Sequence, residues 1–265
     1  MSDSAQMSIA IITLNEAERI AECVESVRFA DEIVVVDSGS VDGTPKIARA
    51  LGCKVYEHPF AGFSHQKQYA VDRCNHDWVL ILDADERLPA KTTTAIQDRI
   101  SAAGEHVAAF GLLRKNYLHG RWIRHCGWWP DKVVRLVRRD RGAFSPNTVH
   151  ERWVTDGHIE QLSLHIDHFS FRSYAEMIEK LQHYSTLAAQ EMASRETNIH
   201  WWSPILHGAW MFFSVYLLKL GFICGFDGLM ISLLNAGGSF MKYAKCREII
   251  SQHGPALEMN AKDKD

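Results

Sequence analysis

An α/β fold with a mostly parallel central sheet, plus C-terminal amphipathic or apolar helices, is predicted by three features of this chain. Short β-branched runs alternate with helical stretches through the N-terminal third. Polar and acidic residues gather where those runs end, and from Trp201 the composition turns apolar. Such alternation places strands side by side with crossover helices packed on the faces of the sheet.

Ile9-Ala10-Ile11-Ile12 reads as a central strand, short and buried on both faces. Asn15 reads as the N-cap of a helix in which Ile20, Val24 and Val27 recur at helical spacing. Ile33-Val34-Val35-Val36 is a second buried strand ending at Asp37, and Ser38 to Gly43 is loop chemistry. Thr44 caps a helix with Pro45 at its first position and Gly52 at its end. Lys54 to Glu57 is a third strand, Ser64 to Cys74 a helix, and Trp78 to Leu82 a fourth strand. A helix is predicted from Pro89 to about Ala103, with strands at Val107–Leu113 and Val133–Val137. The Gly-, Trp- and His-rich stretch between those strands, Asn116 to Asp131, reads as a site-forming loop, and Ser173 to Arg195 as a long helix.

Composition narrows the function classes. At 265 residues and 46% apolar content, the chain suits one large domain or one domain with an appendage. A net charge of −3 supplies no basic field, which argues against nucleic acid as a main partner. The six cysteines form no CxxC pair and no zinc spacing, as in a reducing compartment. No basic leader or apolar h-region precedes Ile9, so a cytoplasmic location is expected. No GxGxxG follows the first strand, which argues against a dehydrogenase.

Asp83-Ala84-Asp85-Glu86 carries the most chemistry. Three acids at the end of a buried strand are costly unless positive charge meets them. On an extended backbone Asp83 and Asp85 share a face, and Ala84 points away. Paired carboxylates of this kind suit Mg²⁺ or Mn²⁺, hard cations that take oxygen ligands. Thr13-Leu14-Asn15-Glu16, Asp37 and Asp83 to Glu86 all follow strands, at the end of an α/β sheet where ligands bind. Any one of these acids alone could be a helix cap.

Ile11 to Glu16, Ile33 to Thr44 and Leu82 to Glu86, in that order and spacing, resemble glycosyltransferase family 2. Gly62 to Ala70, Trp129-Pro130-Asp131 with Arg135-Leu136, Val149-His150-Glu151 and the apolar C-terminus resemble its lipopolysaccharide core β-1,4-glucosyltransferase branch more narrowly. The resemblance covers roughly residues 8 to 247. It implies a GT-A fold, a UDP-sugar donor, a divalent metal and inversion at the anomeric carbon. It implies that Thr13, Asn15, Glu16, Asp37, Ser38, Asp83 and Ala84 line the nucleotide-sugar pocket. Asp37 would meet the uracil, Asp83 the ribose side and Asp85 the metal. Gln68-Tyr69 departs conservatively from the Asn-Phe common in relatives. The absence of Gln-x-x-Arg-Trp argues against polymer synthesis.

Single-displacement inversion needs a carboxylate to take the acceptor's proton. Glu151 is the first candidate and Asp131 the second. His168 is a candidate metal or phosphate contact, against a purely structural histidine. Lys67 and Arg135 are candidates for the diphosphate, against surface or structural roles. Trp122, Trp128 and Trp129 offer flat faces to sugar rings, or are core.

Ser203 to Phe226 carries Lys219 as its one formal charge, and no uncharged block reaches the ~20 residues of a spanning helix. Trp201, Trp202 and Trp210, with Lys242, Lys245 and Arg247 further on, suit helices lying in a membrane interface, against a buried helical pair or dimer interface, or a true span. The expected organisation is a GT-A domain over 1–200, a membrane-associating region over 201–250 and a disordered tail over 251–265. The expected partners are a UDP-sugar and a lipid-linked saccharide such as lipopolysaccharide core, at the cytoplasmic face of the inner membrane. Two other classes share some features. A nucleotidyltransferase would carry a Gly-rich basic loop after the first strand, where this chain has Thr13-Leu14-Asn15-Glu16. A non-catalytic, membrane-bound nucleotide-sugar-binding protein would have no use for Asp83 and Asp85.

Overall fold

The computed structural model describes residues 5–145, 152–195 and 199–262. The first compact unit comprises Met1–Asn116 and Pro130–Ser170, the second Tyr117–Trp129 and Phe171–Asp265. These boundaries interleave along the chain, whereas the sequence suggests a simple division near residue 200.

The elements run β1 (Met7–Thr13), α1 (Ile20–Ser26), β2 (Glu32–Asp37), α2 (Thr44–Ala50), β3 (Lys54–Glu57), α3 (Phe63–Asp72), β4 (Trp78–Asp83) and β5 (Glu86–Arg87). Then follow α4 (Ala90–Ala102), β6 (Val107–Leu118), β7 (Arg121–Trp122), β8 (Asp131–Arg138), β9 (Ala143–Phe144), β10 (Trp153–Val154) and β11 (His158–Phe171). The helices α5 (Tyr174–Ala193), α6 (Ser203–Phe213) and α7 (Gly225–Lys262) complete the order. α7 runs as helix to Lys262, into the stretch where the sequence suggests a tail.

The main sheet has the order β3-β2-β1-β4-β8-β6-β11-β5, with β7 paired to β6. The first four strands are parallel, as expected of strands joined by crossover helices. Beyond β4 the pairing turns antiparallel, β8 against β4 and β6 against β8. Nothing in strand periodicity announces that switch, because both pairings have the same two-residue repeat.

β1 is buried along its whole length. Ile9 and Ile11 pack with Val35, Leu80, Leu82, Val24 of α1, Ala48 of α2 and Ile96 of α4. Ala10 and Ile12 point the other way, to Val34, Val36, Ile81 and the Ala70 and Val71 of α3. A strand covered on both faces must be apolar throughout, which is why the pattern is a run and not an alternation. Asn15 is not the N-cap expected from the sequence. It sits at φ 55°, and the N-cap of α1 is Arg19.

At the amino end of the parallel strands, Glu32 is buried and takes four hydrogen bonds. They come from the Ser8 hydroxyl (2.6 Å), the Asn75 backbone (2.7 Å) and side chain (2.6 Å), and Lys54 Nζ (2.6 Å). Burial alone would raise its pKa, but Lys54, Ser8 and Asn75 bring the carboxyl down to about 2. A depressed carboxyl stabilises the fold above its unfolded pKa and ceases to do so as pH falls through the folded value. Glu32→Gln is therefore expected to cost up to about 3 kcal/mol near neutral pH, with the difference vanishing between about pH 4.5 and 2. Urea unfolding of both proteins across that range checks this; a constant offset would refute it.

The second unit has its own core. Leu118, Ile123, Cys126, Met177, Val215, Cys224 and Ile231 are buried together. Within that unit, α6 packs on α7 through Gly208, where a Cβ would lie 3.3 Å from the Ala236 carbonyl oxygen, and through His207, stacked on Tyr243. One helical run, Gly221–Gln252, is long and apolar enough by length and composition to cross a membrane.

Candidate active site

The parallel register brings three strand ends together: Thr13 stands beside Asp37, and Ile12 beside Asp83. The loops after β1 and β2 are stitched to each other. Asn15 donates its backbone N–H to the Ser40 hydroxyl (2.7 Å), and its side-chain oxygen accepts from Val41 N–H (2.9 Å). Glu16 N–H donates to the Thr44 hydroxyl and Ala17 N–H to Asp42, both at 2.9 Å. The left-handed conformation at Asn15 is one that Asn tolerates better than most residues, and it turns the chain into these contacts.

Asp37 is buried and accepts from the backbone N–H of Gly39 (2.9 Å) and Ser40 (2.8 Å) and from the Ser40 hydroxyl (2.5 Å). Its carboxylate holds its own loop through two bonds at Oδ2 and one at Oδ1, which leaves Oδ1 one acceptor site. Ser38 accepts from Gln66 Nε2 at 2.9 Å and is thereby tied to α3. The Thr13 hydroxyl is buried and has no hydrogen-bond partner among the described residues. An orphaned hydroxyl at the carboxyl end of the central strand is a ready contact for a ligand.

At the end of β4 lies a paired charge cluster. Lys67, 1% exposed, sits 3.2 Å from Asp83 Oδ1. Arg135, 4% exposed, donates through Nη2 to Asp83 Oδ2 (2.6 Å) and Glu86 Oε1 (2.8 Å). Glu86 also accepts from Asp83 N–H at 2.9 Å and lies 3.4 Å from Arg114 Nη1. Burial would raise the Asp83 carboxyl, yet Arg135 and Lys67 outweigh it and hold the pKa far below the usual carboxylate range. Burial likewise opposes charge on Arg135, and Asp83 and Glu86 reverse that. Lys67 and Arg135 are thus buried ion-pair partners of Asp83 and Glu86, in keeping with the structural one of the roles the sequence leaves open to them. Ala84 is core, packed with Leu82 and Leu88, so its side chain lines no pocket.

Asp85 stands apart from that cluster. Its Oδ2 lies 3.4 Å from His168 Nε2 and 3.9 Å from Arg19 Nη1. The pairing of β5 with β11, which sets Glu86 opposite His168, brings the two side chains together. On the other side of the ring, His168 Nδ1 lies 2.6 Å from Asn116 Oδ1 and 2.9 Å from the Ser170 hydroxyl. Asn116 Nδ2 donates to Asp131 Oδ2 (3.1 Å), which also accepts from Arg114 Nε (2.8 Å). A carboxylate only accepts, so the Asn116 amide must face Asp131 with its nitrogen and His168 with its oxygen. Nδ1 of His168 then carries the hydrogen, and Nε2 faces Asp85. An imidazole lone pair and a carboxylate oxygen at 3.4 Å attract only with a cation shared between them, a proton or a metal ion. The donor pair therefore fits a divalent metal in an open site, with most ligands left to a diphosphate and water. Among the described residues no cluster of three or more His, Cys, Asp or Glu stands ready as a closed cage.

Of the two candidate bases, Asp131 opens β8 opposite Arg114 and belongs to this network. Glu151, with Val149 and His150, lies outside the described residues. Sequence reasoning missed Arg114, Arg19 and Ser170, and read Asn116 as the start of a loop, whereas it stands within β6. A signal existed: Arg114 and Asn116, like His168 and Ser170, are spaced i, i+2 and so share a strand face.

The tryptophans belong to the second unit. Trp122 meets Trp129 edge-on with centroids 5.2 Å apart and carries the Arg124 guanidinium 4.3 Å above its ring, while Trp128 lies against Phe171 at 5.9 Å.

A family model described as Glycosyl transferase family 2 matches residues 8–162. The chain is 29% identical to the lipopolysaccharide core biosynthesis glycosyltransferase LpsC of Rhizobium meliloti, over 97% of this chain and 96% of that protein. It is 30% identical to an uncharacterized glycosyltransferase of Rickettsia bellii, over 95% of this chain and 89% of the relative. Among solved structures, it is similar to glucosyl-3-phosphoglycerate synthase of Mycobacterium tuberculosis in complex with Mn²⁺, UDP and glucosyl-3-phosphoglycerate. That likeness has a TM-score of 0.47 at 20% identity and covers 65% of this chain and 75% of the other.

Proposed function

The chain belongs to glycosyltransferase family 2, and from that premise we propose that it moves a sugar, glucose, from a UDP-sugar to a lipid-linked glycan of the lipopolysaccharide inner core. The transfer is inverting and metal-dependent. The observation that carries the reading is the juxtaposition, at adjacent strand ends, of the orphaned Thr13 hydroxyl, the Asp83–Glu86 run and the Asp85–His168 pair. The acceptor follows from the likeness to LpsC, whose name places it in lipopolysaccharide core biosynthesis.

In this reading Thr13, Asn15, Glu16 and Ser38 surround the nucleoside, and Asp37 shapes their loop. Asp83, ionised and fixed by Arg135 at Oδ2 and by Lys67 at Oδ1, stands at the ribose side. Asp85 and His168 would hold the divalent cation, whose chemistry when bound is to stabilise negative charge on the departing diphosphate. Asn116 orients His168. Asp131 accepts from Arg114 and Asn116 at Oδ2, which leaves Oδ1 to take the acceptor's proton. Glu151 is the rival for that role.

Two measurements test the proposal. Thermal stabilisation by a panel of nucleotide sugars, with and without Mn²⁺, is expected to single out a UDP-sugar with metal; no stabilisation by any of them would overturn the reading. Asp131→Asn and Glu151→Gln then separate the bases. The true base is expected to lose about 10²–10⁴-fold in kcat and the acid limb of its pH profile, with UDP affinity intact. Full turnover in either variant removes that residue from the role.

A further inference from the structure

Helix α6 is apolar on two opposite sides, and its partner helix covers one. Pro204 and Gly208 of α6 are buried, as is Val215 just past its end; Gly208 lies against Ala236 and Phe240 of α7, and Val215 shares a core with Ile231 of α7. Leu206, Trp210 and Phe213 lie on the opposite side, about 180–240° around the helix from Pro204 at 100° per residue. Leu206 and Trp210 are each 60% exposed. The exposed surface continues through Leu217, Leu218 and Leu220 into the elbow before α7, with Phe222, Ile223 and Phe226, and extends back to Trp201 and Trp202. A helix apolar all round belongs in a core or in lipid, and here no described residue of its own unit covers the outer side. A contiguous apolar surface of this size marks an interaction site.

The chemistry of the surface selects the partner. Between Ser203 and Phe226 there is no carboxylate and one cation, the exposed Lys219, set among the exposed leucines. Three exposed or part-exposed tryptophans border it, rings that favour the boundary between headgroups and acyl chains. Helix α7 is anchored where a spanning segment would begin. Asp227 in its first turn accepts from Arg121 (3.1 Å) and from the Tyr174 hydroxyl (2.7 Å). From Gly228 to Met241 only 14 uncharged residues follow before Lys242. That is ~21 Å of helix, short of the ~30 Å hydrocarbon core, so the longer run Gly221–Gln252 reaches spanning length only by taking in Asp227 or Lys242.

We propose that the outer side of α6 and the elbow before α7 form a monotopic membrane-docking surface, lying in the headgroup–acyl boundary of an anionic bilayer without crossing it. Leu206, Trp210, Phe213 and Leu218 enter the apolar layer, and Lys219 meets the phosphate level. Docking needs neither nucleotide nor metal, so its test is independent of the transfer reaction.

The full-length chain is mixed with vesicles of phosphatidylcholine alone, or with about 30% phosphatidylglycerol, and separated by flotation. It is expected to float with the anionic vesicles, to show a blue-shifted tryptophan emission quenched by lipids brominated near the headgroup, and to be released by alkaline carbonate. The triple variant Leu206→Ser, Trp210→Ser, Phe213→Ser should lower the bound fraction at least about fivefold. Lys219→Glu, a surface change that leaves the apolar stripe intact and guards against misfolding of the triple variant, should weaken binding to anionic vesicles and leave neutral ones unaffected. Three outcomes overturn the proposal. The chain could stay in the supernatant with both vesicles. It could resist carbonate as a spanning protein does. Or it could form a dimer that the triple variant splits without any vesicle binding, which would make a second copy the occupant of this surface.

Discussion

Asp85→Asn is expected to lower kcat by about a hundredfold to a thousandfold while leaving the folded state nearly as stable as the parent. The two halves of that expectation have separate causes. Asp85 faces His168 and is 3.9 Å from Arg19, but Arg19 keeps Glu16 at 3.3 Å when Asp85 loses its charge. Arg19 is not stranded, so the melting temperature should move by only a few degrees. Function should suffer because the shared cation between Asp85 and His168 loses its anionic ligand. Mn²⁺ affinity, measured calorimetrically with UDP present, should fall together with kcat. Unchanged metal affinity in Asp85→Asn would remove Asp85 from the metal site, whatever happened to activity.

Arg135→Met should have the opposite profile. It leaves Asp83 and Glu86 buried against each other with Lys67 and Arg114 as their remaining cations. Breaking a buried ion pair from one side costs about 3–5 kcal/mol, because the surviving charge keeps its desolvation penalty. For a chain of this size that corresponds to a fall in melting temperature of order 10 °C. Arg135→Lys keeps the charge and should recover part of the loss. Asp83→Asn combined with Arg135→Met should cost less than the sum of the two single changes, since each single variant already carries the penalty of the stranded partner. A melting temperature within 2–3 °C of the parent for Arg135→Met would sink this account of the cluster.

The contrast between these acids shows how far the sequence could be read. The strand-end positions of Thr13, Asp37 and Asp83 were legible, because buried parallel strands are continuous β-branched runs and their ends are marked by polar residues. The separate roles within Asp83-Ala84-Asp85-Glu86 were not. What distinguishes Asp83 from Asp85 is Arg135, 52 residues later in the chain, and the antiparallel strand that delivers it. The same holds for His168, whose environment depends on Asn116, 52 residues earlier on β6. Periodicity locates strands, but it carries no information about which strand lies beside which. Local signals misled in one place: Asn15 has the chemistry of a cap, yet its side chain binds the facing loop and the helix begins five residues later.

β1 has a further consequence. A strand that alternates oily and polar residues is aligned by its own pattern, since sliding by one position would turn its oily side to water. β1 has no such safeguard, because Ile9, Ala10, Ile11 and Ile12 are welcome on either face. Its alignment depends on its ends, where Ser8 bonds Glu32 and Thr13 O accepts from Ser38 N–H. The chain thus clasps a featureless strand at both tips. A change at Ser8, remote from any chemistry, would work loose the vernier that sets Thr13 level with Asp37.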